Sequence, residues 1–111
     1  MDLLQGTLEM LVLRTLILGP LHGYAISKAI RATSNEVLEI EFGSLYPALK
    51  RLETKGWVSA KWEISENNRK AKVYRLTEAG RQQLRREHSK WAEFASAVSL
   101  IMGPLTERGK R

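Results

Sequence analysis

The chain contains no cysteine. That excludes a disulfide framework, a thiolate zinc site, an iron–sulfur cluster and a cysteine nucleophile. Histidine is nearly absent too. His22 and His88 are the only two, without the His-Glu-x-x-His spacing of a zinc protease. No metal centre and no cofactor are therefore expected. Long apolar runs are also missing. Leu3 to Leu18 is leucine-rich, but Asp2 precedes it and Glu9 and Arg14 interrupt it. The uncharged run Thr15 to Ser27, which no other exceeds in length, holds Gly19, Pro20, His22 and Gly23. A membrane span needs ~18 apolar residues, and a signal peptide needs a basic start and an unbroken apolar stretch. Neither is present, and the expected location is cytoplasmic. Gly6, Gly19 and Gly23 form no phosphate loop, and no serine lies on a nucleophile elbow, so no enzymatic activity is expected. Aromatic residues are only 7% of the chain. A single-strand or RNA platform needs several exposed rings, and Tyr46 is the one candidate.

Acidic residues are outnumbered by basic ones, 12 to 18, for a net charge of +6. Residues 1–55 are balanced, so the whole excess lies in residues 56–111. Such asymmetry points to a polyanionic partner. At 111 residues, 43% hydrophobic and 27% charged, the chain has the length and composition of one ordered domain.

Periodicity predicts the elements. Leu3 to Leu18 reads as a helix apolar on nearly all sides, hence buried on more than one, and Gly19-Pro20 stops it. A second helix covers about Gly23 to Ala32, with Ile26, Ala29 and Ile30 inward, and Ser34-Asn35 breaks it. His22 fits a capping or packing role at its start. Val37 to Phe42 alternates loosely, as a minor strand does. Gly43-Ser44 opens a third helix, about Leu45 to Lys55, with Pro47 in its first turn and Gly56 closing it. Trp57 to Ile64 alternates with period two, placing Val58, Ala60, Trp62 and Ile64 on one buried face. A polar turn, Ser65 to Lys70, leads to a second strand, Ala71 to Leu76. Thr77 caps a last helix, about Glu78 to Met102, ended by Gly103-Pro104. Leu84, His88, Trp91, Ala95, Val98 and Met102 alternate along it in steps of four and three, the spacing of a helical seam. Phe94 and Ile101 widen that stripe.

Three helices, a basic hairpin and a further helix make a winged helix-turn-helix, mainly α with a small β-hairpin, plus a C-terminal dimerisation helix. The expected division is 1–77 for the winged helix-turn-helix, 78–103 for the dimerisation helix and 104–111 for a flexible basic tail. In such a fold the second helix of the motif enters the major groove of double-stranded DNA. Leu45, Ala48, Leu49 and Leu52 form its core stripe, so Ser44, Tyr46, Pro47, Lys50 and Arg51 are the candidate reading residues. Asn67, Asn68, Arg69, Lys70 and Lys72 are the candidate wing contacts to flanking backbone or minor groove. Leu4, Leu8 and Leu11, with Leu84, His88, Trp91, Phe94, Ala95, Val98, Ile101 and Met102, are the candidate dimer interface. Trp91 and Phe94 also suit a pocket for an aromatic effector. An adaptor module that binds a protein partner is the alternative, but it has no need of a basic outward face on the third helix.

The runs Leu4-Gln5-Gly6-Thr7-Leu8-Glu9, Gly19-Pro20-Leu21-His22-Gly23-Tyr24 and Gly43-Ser44-Leu45-Tyr46-Pro47-Ala48-Leu49-Lys50-Arg51-Leu52-Glu53, then Gly56-Trp57 and Tyr74-Arg75-Leu76-Thr77-Glu78-Ala79-Gly80, occur in order. In these the chain resembles the PadR family of bacterial transcriptional regulators, from residue 4 to about residue 91. The resemblance implies a dimeric winged-helix repressor that a small, often aromatic, effector releases from DNA. It maps the reading helix onto Ser44 to Lys55, the wing onto Ser65 to Lys70, and the dimerisation helix onto Glu78 to Met102, assisted by the first helix. With one C-terminal helix the chain looks like the smaller subtype, in which any effector pocket forms at the dimer interface.

Overall fold

The computed structural model describes residues 6–104. Helix α1 covers Thr7–Thr15 and runs into a 3-10 turn, Leu16–Leu18. Strand β1 is Leu21–His22, α2 is Gly23–Thr33, α3 is Phe42–Thr54, β2 is Val58–Ile64, β3 is Lys70–Leu76 and α4 is Glu78–Met102. The fold class matches expectation: a winged helix-turn-helix followed by one long helix. Leu4 and the basic tail after Pro104 lie outside the described residues.

The core is one cluster. Leu8, Val12, Leu13 and Leu16 bring one face of the first helix and its 3-10 turn to Ile26 and Ile30 of α2 and to Leu45, Ala48, Leu49 and Leu52 of α3. Val58 and Tyr74 close it from the sheet, and Leu84 from α4. Two seam candidates, Leu8 and Leu84, are thus buried inside their own chain at 9% and 5% exposure. Leu84 falls on the seam by spacing and Leu8 on an apolar face of the first helix; in the fold both belong to the chain's own core.

Two elements differ from the sequence expectation. Val37 to Glu41 is a loop, not a strand. Ser34 Oγ accepts the Leu38 amide at 3.0 Å, Ser27 Oγ donates to the Ile40 carbonyl at 3.3 Å, and Ile40 is buried. These bonds tether the segment to α2, and among the described residues it pairs with no strand. The third strand is instead Leu21–His22, which pairs antiparallel with β3 through Leu21–Tyr74 and His22–Val73, giving the order β1-β3-β2. Helix α3 also starts earlier than expected, so Pro47 lies in its second turn. Its missing N–H leaves the Gly43 carbonyl without its usual donor, at a position where both residues face solvent.

The end of α3 is bonded tightly. Gly56 takes φ 77°; its amide donates to Glu53 O and that of Trp57 to Leu52 O, both at 3.0 Å. That is the 6→1 and 5→2 pair of a Schellman cap. The start of α4 docks on the same corner. Thr77 Oγ1 donates to Gly56 O at 2.7 Å and accepts the Gly80 amide at 3.0 Å, while Thr77 N donates to Trp57 O at 3.1 Å.

Candidate nucleic-acid interface

At 3.6 residues per turn, burying four hydrophobic positions of α3 turns the opposite arc outward. Leu45, Ala48, Leu49 and Leu52 are fully buried, and Ser44, Tyr46, Pro47, Lys50 and Arg51 are all exposed. Tyr46 and Lys50 line an open cleft of about 890 Å³ between α3 and the hairpin, together with Trp62, Arg69, Lys70 and Lys72. Tyr46 and Lys50 therefore face the same space as the wing, whereas Ser44, Pro47 and Arg51 lie outside that cleft.

Not every cation there is unpaired. Arg51 Nε donates to Glu9 Oε2 at 2.7 Å, tying α3 to α1. Lys72 Nζ is 3.3 Å from Glu53 Oε1 and 5.8 Å from the centroid of Tyr74. Among the described residues Lys50, Arg69 and Lys70 have no ion-pair partner within 4 Å. They are the charges of this cleft that a phosphate could approach without displacing a carboxylate. Burial pushes the Tyr74 phenol above its ordinary pKa, and Glu53 and Tyr46 add to this, so it remains a neutral hydroxyl. At the wing turn Asn68 takes φ 59° and donates its amide to Ser65 O at 2.9 Å, while Ser65 N donates to Arg69 O at 2.8 Å. Asparagine tolerates the left-handed region, so Asn68 shapes the tip whose exposed side chains include Asn67 and Arg69.

Gly23, the first residue of α2, is buried under the ring of Tyr46: a β-carbon there would lie 2.5 Å from the phenol oxygen. Because that oxygen ends a side chain that can swing, Gly23→Ala is expected to leave the fold intact and displace Tyr46. DNA affinity should fall about tenfold, roughly one lost contact of ~1.4 kcal/mol, with an unchanged melting curve. Unchanged affinity in a gel-shift titration would separate Tyr46 from recognition.

The family model for the transcriptional regulator PadR-like family matches residues 12–86. The chain belongs to that family. A transcriptional regulator from Clostridium thermocellum superimposes with a TM-score of 0.78 at 28% identity, over 86% of this chain and 92% of that one. A PadR-family transcriptional regulator from Eggerthella lenta does so at 0.74 and 32% identity, over 91% and 86%. A Lysinibacillus sphaericus protein is 31% identical over 94% of this chain and 95% of its own length. The protein is thus a PadR-like transcriptional regulator, a DNA-binding class. No helix among the described residues is long and apolar enough to cross a membrane.

Sequence reasoning missed part of this PadR-like surface. Tyr24 and Phe42 are 55% and 45% exposed and continue Tyr46 in a row of rings: Tyr24–Phe42 at 6.2 Å and Phe42–Tyr46 at 5.7 Å. Placing Phe42 in a strand hid it; a helix starting at Phe42 puts it four residues before Tyr46 and on the same face. His22 caps α2 as expected, its Nδ1 accepting the Ala25 amide at 3.2 Å. Trp62 and Ile64, expected inward, are 63% and 67% exposed, because the hairpin outruns the helices that cover Val58.

Proposed function

We propose that the protein is a homodimeric, sequence-specific repressor, and that a small aromatic effector binding beside Trp91 and Phe94 releases it from DNA. The observation that carries the reading is the outward arc of α3, with Pro47 and Lys50 exposed above buried leucines and a basic hairpin beside them. A helix N-terminal half of this kind fits the major groove, and the wing fits the flanking backbone. Repression then follows from occupancy of a promoter.

Dimerisation is supported by the far half of α4. His88, Trp91, Phe94, Val98, Ile101 and Met102 are exposed and Ala95 half-buried, an apolar stripe that one copy alone leaves wet. On α1, half-buried Leu11 borders an apolar cleft of about 600 Å³ that also takes in Leu18, Leu21, Ile30 and Leu38. A second copy's α4 suits that surface. Trp91 and Phe94, with ring centroids 5.8 Å apart, line a smaller cleft of about 180 Å³ with Met10 and Lys90. Ligand pockets usually exceed ~300 Å³, so the effector site takes walls from both copies.

The test is selection of duplexes from a random pool, followed by titration of variants on the winning site. Lys50→Ala is expected to weaken binding by ~1–3 kcal/mol if it reads a base, or to lower the salt slope by about 0.9 if it meets a phosphate. Arg51→Ala should do less, since Arg51 already holds Glu9. A Lys50→Ala titration that superimposes on wild type at every salt concentration would remove α3 from the interface.

A further inference from the structure

Phe42 is an apolar ring at the first position of α3, and the fold leaves it in water. It is not filling the core: it is 45% exposed and meets the rings of Tyr24 and Tyr46 at 6.2 and 5.7 Å, which are themselves exposed. Phe42, Tyr46 and Lys50 are spaced four apart, so they form one ridge along the helix. Lys50 at one end is a cation without a carboxylate partner; Phe42 at the other can neither donate nor accept a hydrogen bond. The early turns of a reading helix are the part that meets base edges. The only apolar group a base edge offers in the major groove is the 5-methyl of thymine.

We infer that Phe42, held by Tyr24 and Tyr46, is a specificity residue that packs on a thymine 5-methyl group at a fixed position of the operator. The inference rests on the DNA-binding reading above and adds a chemical identity to one base. The three rings brace one another, so little side-chain freedom is lost on contact, and the ridge couples an apolar reading end to a cationic one. Glu41, next to Phe42 and also exposed, repels a phosphate at the ring itself; the cation of this end, Lys28, lies on the far partner, its Nζ 5.4 Å from the centroid of Tyr24.

The experiment is a thymine scan. Each thymine of the selected duplex is replaced singly by deoxyuridine, which keeps every hydrogen-bonding group and removes only the methyl. Wild type, Phe42→Ala and Phe42→Leu are titrated against each duplex. One thymine should weaken wild-type binding about fourfold when its methyl is removed, the fold-change matching roughly 0.8 kcal/mol per buried carbon. That penalty should vanish in Phe42→Ala and survive in Phe42→Leu. Circular dichroism on both variants verifies that α3 still forms; loss of helix in Phe42→Ala would leave the leucine variant and the wild-type scan to decide. A wild-type scan without any methyl-sensitive position overturns the inference, and so does a methyl penalty that persists in folded Phe42→Ala. Both results leave the DNA reading standing. Failure to enrich any duplex would instead overturn that reading and this inference with it.

Discussion

Gly80→Ala is expected to lower the melting temperature by roughly 15 °C, about 3 kcal/mol at ~5 °C per kcal/mol for a domain this size. A β-carbon at Gly80 would collide with the carbonyl oxygen of Trp57 and lie 2.8 Å from a Leu76 methyl. The carbonyl cannot yield easily, because it already accepts the Thr77 amide. Moving α4 away instead strains the hydrogen bonds that Thr77, its N-cap, donates to the Gly56 and Trp57 carbonyls. Helix propensity works in the opposite direction, since alanine is favoured over glycine by about 1 kcal/mol within a helix. The collision with backbone outweighs that preference and sets the sign. Thermal denaturation followed at 222 nm decides it: a melting temperature at or above that of wild type would mean that α4 does not approach the sheet this closely.

Trp91→Glu is expected to convert the protein to a monomer in sedimentation velocity while leaving each copy folded. Trp91 is 41% exposed in the single chain, so a carboxylate there can reach water and the core clusters elsewhere. In a dimer the same carboxylate would be buried against apolar groups without a partner, a cost of several kcal/mol. Affinity for a two-half-site operator should fall at least ~100-fold, because the second half-site no longer sees a tethered reading head. Affinity for an isolated half-site should stay the same. A variant that remains dimeric would take α4 out of the interface.

Much of this was legible in the sequence, and the failures share a physical pattern. The leucines of α3, the period-two alternation of the hairpin, the Thr77 cap and the Gly56 stop are local signals, and each stands where the residues indicated. What the chain hid depends on neighbours distant in sequence. Leu21–His22 is too short to show a period and is a strand only because β3 runs beside it. Val37 to Phe42 alternates like a strand, yet its backbone is tethered to α2 through Ser27 and Ser34, and its last residue opens a helix. Leu84 fits a helical seam by spacing and Leu8 an apolar outer face of the first helix, but both are buried in the core of their own chain. Arg51 looks like a groove cation until Glu9, more than forty residues earlier, is seen at 2.7 Å. Trp62 and Ile64 obey the alternation of a half-buried strand, though the hairpin extends past the body that would bury them.

The corner at Gly56 and Trp57 has a mechanical consequence. There the last turn of α3 and the N-cap of α4 are bonded to the same two residues, so no hinge separates them. In the proposed homodimer each protomer would then behave as one arm of a caliper whose pivot is the interface that α4 makes with the second copy. A ligand that rotates one α4 against the other would alter the gap between the two jaws without bending either arm, and operator spacing, not local unfolding, would carry the signal.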